Sequence, residues 1–171
     1  FMVTSETGED FIIECDSCSY AANIETADVI CVDDSISKNA SETLKIEEVS
    51  TPGLTTIQDQ VDSMGINIEN CLKTLVVDID SIPTLILLRG DHQLNEVKLK
   101  KQLKAESVEL SSDETVKDIT GADLGFAGPV GLNKPLRVIA DNAVKTMRSI
   151  YAGANKTDIH LKNVTLGRDF T

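Results

Sequence analysis

The spacing of apolar and polar positions changes along the chain. Residues 11–14 (FIIE) form a short apolar run that predicts a strand, and a polar segment ending in YAAN at residues 20–23 leads into an acidic linker through residue 35. From Leu44 onward, periodic apolar segments alternate with glycine, proline and polar runs, which indicates an ordered domain of helices and strands.

Helices are predicted where apolar residues recur every three or four positions between capping residues. Thr55 or Thr56 can cap a helix over residues 57–64, and Gly65 stands where a helix commonly ends in a left-handed residue. A short helix is predicted to carry Ile68, Cys71 and Leu72, and a basic amphipathic helix is predicted over 93–104, with Leu94, Val97 and Leu103 as apolar contacts. A further helix is predicted to start at 111–114 and to stop at Gly121. The last predicted helix carries Val144, Met147 and Tyr151 and ends near Gly153.

Apolar runs at residues 74–79 and 84–88 predict two strands, joined by residues 80–83. The second run is apolar almost throughout, so we expect a central strand that is covered on both faces. The remaining predicted strands cover residues 136–140 and 159–166. Because strands and helices interleave irregularly, the predicted fold class is α/β of the mixed α+β kind, with a mixed central β-sheet surrounded by helices.

The composition is that of a globular protein with an acidic excess. At 171 residues the chain fits one domain with room for a small appendage, and its net charge of −12 repels phosphate at long range. The chain alone is therefore not expected to bind nucleic acids in general, and a polyanionic partner must be held chiefly by other contacts. No apolar run approaches the ~20 residues of a membrane span, and residues 1–6 lack the pattern of a signal peptide, so we expect a cytoplasmic protein.

One CxxC motif, formed by Cys15 and Cys18, stands near the start of the chain. The other two cysteines, Cys31 and Cys71, provide no second pair at zinc-ribbon spacing. Reduced, partly buried thiols are therefore favoured over a structural zinc site.

A glycine-rich stretch, GFAGPVGL at residues 125–132, stands out from the rest of the chain. It lacks the Gly-Lys-Ser/Thr ending of a Walker loop, and it lacks the strand before and helix after that a Rossmann fingerprint requires. Two interpretations remain open: a turn-rich connection between a helix and a strand, or a loop whose backbone N–H groups face a pocket and approach a ligand closely.

Several isolated polar residues have simple structural interpretations. We expect Asp91 to cap the helix that follows it and His92 to be solvated at the start of that helix. Asp141 is placed to cap the segment after it, His160 to be a half-exposed strand residue, and Lys73 to extend its amine toward solvent. No Ser/His/Asp or Cys/His set lies close enough in the sequence to propose a covalent nucleophile.

Taken together, nine stretches resemble the editing insertion domain of bacterial-type prolyl-tRNA synthetases, in the order of that family and over nearly the whole chain. They are GED at 8–10, YAANIE at 20–25, TPG at 51–53, LKTL at 72–75, RGDHQLNEVK at 89–98, GFAGP at 125–129, VIAD at 138–141, AGAN at 152–155 and GRDF at 167–170. The block at 89–98 is the most diagnostic of them.

The resemblance implies a mixed α/β fold shared with small free-standing deacylases of the YbaK type. It also implies that residues 1–30 are a stem and linker from a class II synthetase catalytic domain, residues 31–166 the editing domain, and residues 167–171 the return stem. The family's insert hydrolyses the ester of mischarged Ala-tRNA(Pro) and spares Pro-tRNA(Pro). Such editing is needed because a synthetic site sized for proline cannot strongly reject alanine, a missing methylene or two being worth only ~1–3 kcal/mol.

The resemblance further implies a set of site residues. Those implied for catalysis are Lys73, Asp141, His160 and Gly128, and those implied for substrate binding are Thr51, Leu94 and Gly125, with no metal. His160 would position or size the aminoacyl group, Lys73 would bind the terminal adenosine phosphate or support the leaving group, and Asp141 would hold the amino group or the local structure. The glycines would let backbone amides stabilise the oxyanion, while a ribose hydroxyl of the substrate and an ordered water supply much of the chemistry.

The implied partners are the 3′ aminoacyl end of tRNA(Pro) and the remainder of a prolyl-tRNA synthetase, a homodimer at full length. Editing is implied to need no cofactor, because ATP and Mg²⁺ serve only the absent synthetase domain. Two alternatives stay open. One is a free-standing trans-editing deacylase, which the two stems disfavour, and the other is a catalytically inactive insert that only docks tRNA.

Overall fold

The computed structural model describes residues 11–27 and 44–171, and the GED stretch and the acidic linker lie outside these residues. The described elements are the strands β1 (Ile12–Glu14), β2 (Ala21–Asn23), β3 (Glu47–Ser50), β4 (Leu72–Ile79), β5 (Ile82–Arg89), β6 (Val108–Leu110), β7 (Arg137–Ala140), β8 (Ile150–Lys156) and β9 (Ile159–Val164), the helices α1 (Ile57–Met64), α2 (Glu96–Leu103) and α3 (Asp113–Thr120), and two 3-10 turns at Ile68–Asn70 and Asn142–Thr146.

Two sheets form the body of the described chain. The four-stranded sheet has the order β6-β4-β5-β7 and is antiparallel except between β5 and β7, which run parallel. The three-stranded sheet has the order β3-β9-β8 and is antiparallel throughout. A single bridge between Cys71 and Tyr151 joins the two sheets. The predicted mixed class and the interior position of β5 are confirmed, although the described strands divide among three sheets rather than one, since β1 and β2 form a separate antiparallel pair.

Local sequence signals set the ends of α1 and α3 as predicted. Thr56 caps α1 in a reciprocal capping box with Asp59, and Gly65 ends the helix in the left-handed conformation. Ser112 caps α3, and Gly121 ends it with a φ of 83°. These ends depend on hydrogen bonds between residues close in sequence, so tertiary packing does not override them.

Helix α2 begins later than predicted. Asn95 caps it, whereas Asp91 forms an ion pair with Arg89 instead. The expected cap at Asp91 is therefore wrong. Within the helix Leu99 is buried and Val97 is exposed, which corrects the predicted apolar contact at Val97.

The helix predicted to carry Val144, Met147 and Tyr151 is wrong. Asp141 does cap the segment after it, but that segment is only the 3-10 turn, and strand β8 follows. Val144 and Met147 are both buried, so their three-residue spacing reflects a core-facing turn rather than a long helix. Met147 ends the turn, Ser149 takes a φ of 48° just before β8, and pairing with β9 sets the conformation of the next residues.

Three short strands, β2, β3 and β6, are not predicted by the sequence, because each has only three or four residues and includes small or charged ones. The β4–β5 hairpin is tighter than predicted. Asp80 and Ser81 alone form its turn, both with positive φ, and Ile82 and Pro83 already belong to β5. The short helix predicted over 68–72 is a 3-10 turn that ends at residue 70.

The core lies on both faces of the four-stranded sheet. One cluster, which includes Leu72 and Leu85, packs against α3 and the three-stranded sheet. The other includes Ile86 and Leu88 and packs against Leu99 of α2. Successive strand residues point to opposite faces, so β5 supplies both clusters, which explains its nearly continuous apolar sequence.

The segments before and after the sheets are held by specific contacts. The Lys98 amine donates a hydrogen bond to the Ala27 carbonyl, so the chain after β2 lies against α2. Near the C-terminal end, Phe170 is buried in the first core cluster. The domain boundaries after residues 30 and 166 stay a prediction. Within residues 11–27 and 44–171, no helix is long and apolar enough to cross a membrane.

Candidate functional site

A cavity of about 590 Å³ lies between β4 on one side and β8 and β9 on the other, beside the bridge that joins the two sheets. Helix α1, the start of α3 and the glycine-rich stretch complete its walls. Ile57, Leu72 and Val76 line it with apolar side chains, while Lys73 and His160 line it with nitrogen-bearing ones. A mostly apolar concavity with a few polar groups is typical of a small-ligand site.

His160 forms the most constrained polar contact of this cavity. Its side chain is only 2% exposed, so the expectation of a half-exposed strand residue is wrong. The Thr51 hydroxyl lies 2.7 Å from His160 Nδ1, and the Phe126 ring lies 5.4 Å from the imidazole, centre to centre. Burial lowers the pKa of His160 below its ordinary value, and a hydrogen bond to the Gly125 backbone opposes this only in part. The imidazole is therefore neutral at pH 7.

The glycine-rich stretch is both a tight connection and a wall of the cavity. Gly125 lines the cavity with a φ of 92°, and a Cβ atom there would lie 2.5 Å from the Thr55 carbonyl oxygen. Gly128 does not line the cavity, and its N–H donates to the Asn155 side-chain oxygen at 2.8 Å. Ala127 lines the cavity, and neither its N–H nor that of Gly125 makes a hydrogen bond to a described residue.

Lys73 connects the cavity with a polar cluster at the end of β5. Lys73 lines the cavity, and its amine donates a hydrogen bond to the His92 carbonyl. The His92 ring lies beside Asp141, with Nδ1 3.7 Å from a carboxylate oxygen, and also contacts Arg89 and Asp91. Hydrogen bonding to Arg89 lowers the pKa of the Asp91 carboxyl. His92 is thus partly solvated and also part of a charged cluster.

The predicted site residues fall into two groups. Lys73, Gly125 and His160 line the cavity, and Thr51 supports His160 from behind. Besides Thr51, the residues that do not line it are Asp141, which caps the 3-10 turn, Leu94, which packs against the second core cluster, and Gly128.

Sequence reasoning missed Gln60, a buried polar residue of α1 that lines the cavity. The sequence feature that could have indicated its burial is its position, one helical turn after Ile57, where the apolar periodicity of α1 predicts an inward-facing residue. A lone glutamine on a short helix is usually solvated, so this signal was too weak to single it out.

Among the residues that the structure describes, no group of three or more His, Cys, Asp or Glu side chains is arranged so that it could hold a metal ion. Cys15 and Cys18 are free and exposed, and Cys71 is free and buried. The exposed thiols correct the expectation of partial burial at Cys15 and Cys18, and Cys31 lies outside the described residues.

Residues 51–170 match the model of the aminoacyl-tRNA editing domain family, and the chain belongs to that family. This segment contains every residue that lines the cavity, the whole four-stranded sheet, and the three-stranded sheet except for β3, which ends at Ser50.

The relatives within the family are proline–tRNA ligases. The chain is 44% identical to the ligase of Geobacter sulfurreducens over 171 residues, covering 100% of this chain and 29% of the ligase. It is 44% identical to the ligase of Bacillus licheniformis over 169 residues, covering 99% of this chain and 29% of the ligase. The chain thus spans less than a third of the length of these curated relatives.

Solved structures share the fold at lower sequence identity. A crystal structure described as that of a candidate trans-editing enzyme for prolyl tRNA synthetase superposes with a TM-score of 0.61 at 21% identity, over 68% of this chain and 74% of that one. A crystal structure of a hypothetical protein gives the same TM-score and identity over 70% of this chain and 80% of that one. These similarities establish the fold alone.

Proposed function

We propose that this chain hydrolyses the ester of Ala-tRNA(Pro) and spares Pro-tRNA(Pro), as the post-transfer editing domain of a prolyl-tRNA synthetase. The observation that carries the proposal is the cavity itself, which combines a buried neutral histidine, a lysine and a strip of glycine backbone. Membership of the editing family and the names of the relatives support the same assignment.

The proposed reaction is addition of water to the ester carbonyl carbon. The bond from that carbon to the terminal ribose oxygen breaks, alanine leaves as the free acid, and the proton from water ends on the ribose oxygen. The N–H groups of Gly125 and Ala127 have no hydrogen-bond partner among the described residues, so they are available to stabilise the negative charge that develops on the carbonyl oxygen. Gly128 has its N–H engaged by Asn155, so in this mechanism it shapes the wall rather than donating.

His160 acts in this mechanism as a fixed wall and not as the general base. Its Nδ1 is engaged by the Thr51 hydroxyl, and burial lowers the pKa of the ring, which makes it a weak proton acceptor. The imidazole is therefore poorly suited to take a proton from water. A ribose hydroxyl of the substrate is the proposed relay for that proton.

Lys73 is the proposed contact for the phosphate or leaving oxygen at the tRNA terminus, because among residues 11–27 and 44–171 no other lysine or arginine lines this cavity. Asp141 and Leu94 lie outside the cavity lining, so we assign them the local structure around His92 and α2. Size is the proposed basis of the sorting: the part of the cavity beside the buried His160 ring accepts the side chain of alanine and excludes the larger proline ring.

The rest of the host protein is proposed to deliver the tRNA. A net charge of −12 disfavours strong binding of a polyanion by this chain alone, and the chain covers 29% of its relatives. Proline activation with ATP and Mg²⁺, and assembly as a homodimer, belong in this proposal to the part of the ligase outside this chain.

Single-turnover deacylation of Ala-tRNA(Pro) and Pro-tRNA(Pro) tests the proposal, first with this chain at high concentration and then with the chain in its full-length ligase. Loss of alanine with proline spared is the expected result. Activity in the ligase alone assigns tRNA delivery to the other domains. No loss of alanine in either format overturns the proposal and favours an inactive docking insert.

Two variants connect the activity to this cavity. Lys73→Met should lower kcat/KM on the alanyl ester by about tenfold, because a charged hydrogen bond is lost. Lys101→Met is the matched control, since Lys101 is an exposed lysine of α2 outside the cavity. Equal rates for the two variants would place the reaction elsewhere.

A further inference from the structure

Gln60 is a buried polar residue whose carboxamide has no hydrogen-bond partner among the described residues. Its side chain is 3% exposed, yet it lines the cavity together with Ile57 of the same helix. Its backbone N–H is satisfied by the Thr56 carbonyl, so the helix does not require the side-chain amide for its own structure.

The carboxamide atoms of Gln60 are not fully enclosed by protein and remain accessible from the cavity. The described side-chain atoms that are both enclosed and unpartnered are the hydroxyls of Thr74 and Thr165, and the Gln60 amide atoms are not among them. A buried amide that has given up most of its water is costly unless another polar group replaces that water. The group that replaces it must therefore enter through the cavity.

The alanine methyl group offers no hydrogen bond to such an amide. A side-chain hydroxyl offers both a donor and an acceptor, and a carboxamide can satisfy either one through its oxygen or its nitrogen. Serine is the amino acid that adds only a hydroxyl to the alanine side chain, so it makes the smallest demand on the volume of the pocket.

We propose that Gln60 is a specificity-determining residue that binds the side-chain hydroxyl of a seryl ester, so that the cavity deacylates seryl-tRNA as well as alanyl-tRNA. The inference rests on the proposed editing function, because it assigns a second substrate class to the same cavity. It requires no new reacting group, since the ester bond that breaks is the same and only the side chain of the substrate differs.

The test compares deacylation of Ser-tRNA(Pro) and Ala-tRNA(Pro) by the wild type, Gln60→Met and Gln58→Met, in whichever of the two formats hydrolyses the alanyl ester. Methionine keeps the length of glutamine and removes the amide. Gln58 lies on the same helix, but it is exposed and bonds Asp62 at the surface, so it is the matched control.

The expected result is that the wild type cleaves both esters, and that Gln60→Met lowers the seryl-to-alanyl ratio of kcat/KM by about tenfold. The ratio for Gln58→Met should equal that of the wild type. Cleavage of the alanyl ester by Gln60→Met also reports that the variant is folded.

Three outcomes would overturn the inference. A wild type that cleaves the alanyl ester and leaves the seryl ester intact excludes serine as a substrate. Equal losses on both esters in Gln60→Met would mean that the amide binds the α-amino group, which alanine and serine share. Loss of neither ester in either format would refute the proposed editing function itself, and the inference with it.

Discussion

The backbones of Gly128 and Gly153 lie in direct contact. A Cβ atom on Gly128 would overlap the Gly153 carbonyl oxygen, and one on Gly153 would overlap the carbonyls of Phe126 and Ala127. Asn155 stabilises this contact, because its side chain accepts a hydrogen bond from the Gly128 N–H and donates one to the Gly128 carbonyl. The glycine-rich stretch is therefore held against β8 with no side chain between them, and this fixes one wall of the cavity.

Gly153→Ala should lower the free energy of unfolding by about 3 kcal/mol, because two segments of backbone must separate to admit the methyl group. Chemical denaturation measures this loss, and alanyl-ester cleavage should fall with it. Gly131→Ala is the control: Gly131 has a φ of 74° but open space around it, so only the backbone conformation costs energy, about 1 kcal/mol. Equal losses for the two variants would contradict close packing at Gly153.

The buried imidazole of His160 should make stability depend on pH. Its pKa in the folded chain is lowered by burial, so the unfolded chain binds the proton more tightly. The stabilisation is fully present above the unfolded value of about 6.5 and is lost as pH falls through the folded value. Urea unfolding at pH 7 and pH 5.5 should show a larger loss for the wild type than for His160→Gln. The same loss in both would mean that other groups cause it.

The cysteines should differ sharply in reactivity. Burial raises the pKa of the Cys71 thiol to about 11, while a hydrogen bond from the Ser17 backbone lowers that of the exposed Cys15. With iodoacetamide at pH 8, peptide mapping should find Cys15 alkylated in the native protein and Cys71 alkylated only after denaturation. Rapid native labelling of Cys71 would show that its end of β4 opens readily.

Ser81→Gly should stabilise the chain by about 0.5–1 kcal/mol. Ser81 has a φ of 65° in the two-residue turn between β4 and β5, a conformation that glycine adopts without steric cost. Ser63→Gly, an exposed position inside α1, should destabilise by a similar amount because glycine disfavours helices. Thermal unfolding measures both changes, and a loss of stability in Ser81→Gly would contradict the turn geometry.

The parts of the fold that the sequence predicts well are set by neighbouring residues. The ends of α1 and α3 follow from side chains three residues away, and the apolar run of β5 follows from burial on both faces. Strand β8 could not be predicted in this way, because pairing with β9 decides its conformation and the spacing of Val144 and Met147 suits a helix equally well.

The candidate site shows the same division. The family resemblance predicted that Lys73, Gly125 and His160 belong to one site, although they are distant in the sequence, and all three line the cavity. It could not reveal that the Gly128 N–H is already hydrogen-bonded to the Asn155 side chain, because that bond depends on how the chain packs. Nor could it single out Gln60, since burial of a polar side chain is visible only once α1 is placed against β4.

The bare backbone at Gly125 and Gly153 forms a part of the cavity wall that substitution cannot reshape. These positions have no side chain to shorten, and a longer one would strike the backbone opposite, so neither widening nor filling of the pocket can begin there. Substitutions that change which amino acid is removed must therefore fall on lining positions that carry a side chain, such as Ile57, Gln60 and Val76. The glycines thus form a fixed part of the cavity wall, and selection or engineering can change the shape of the cavity only through the side chains that line the rest of it.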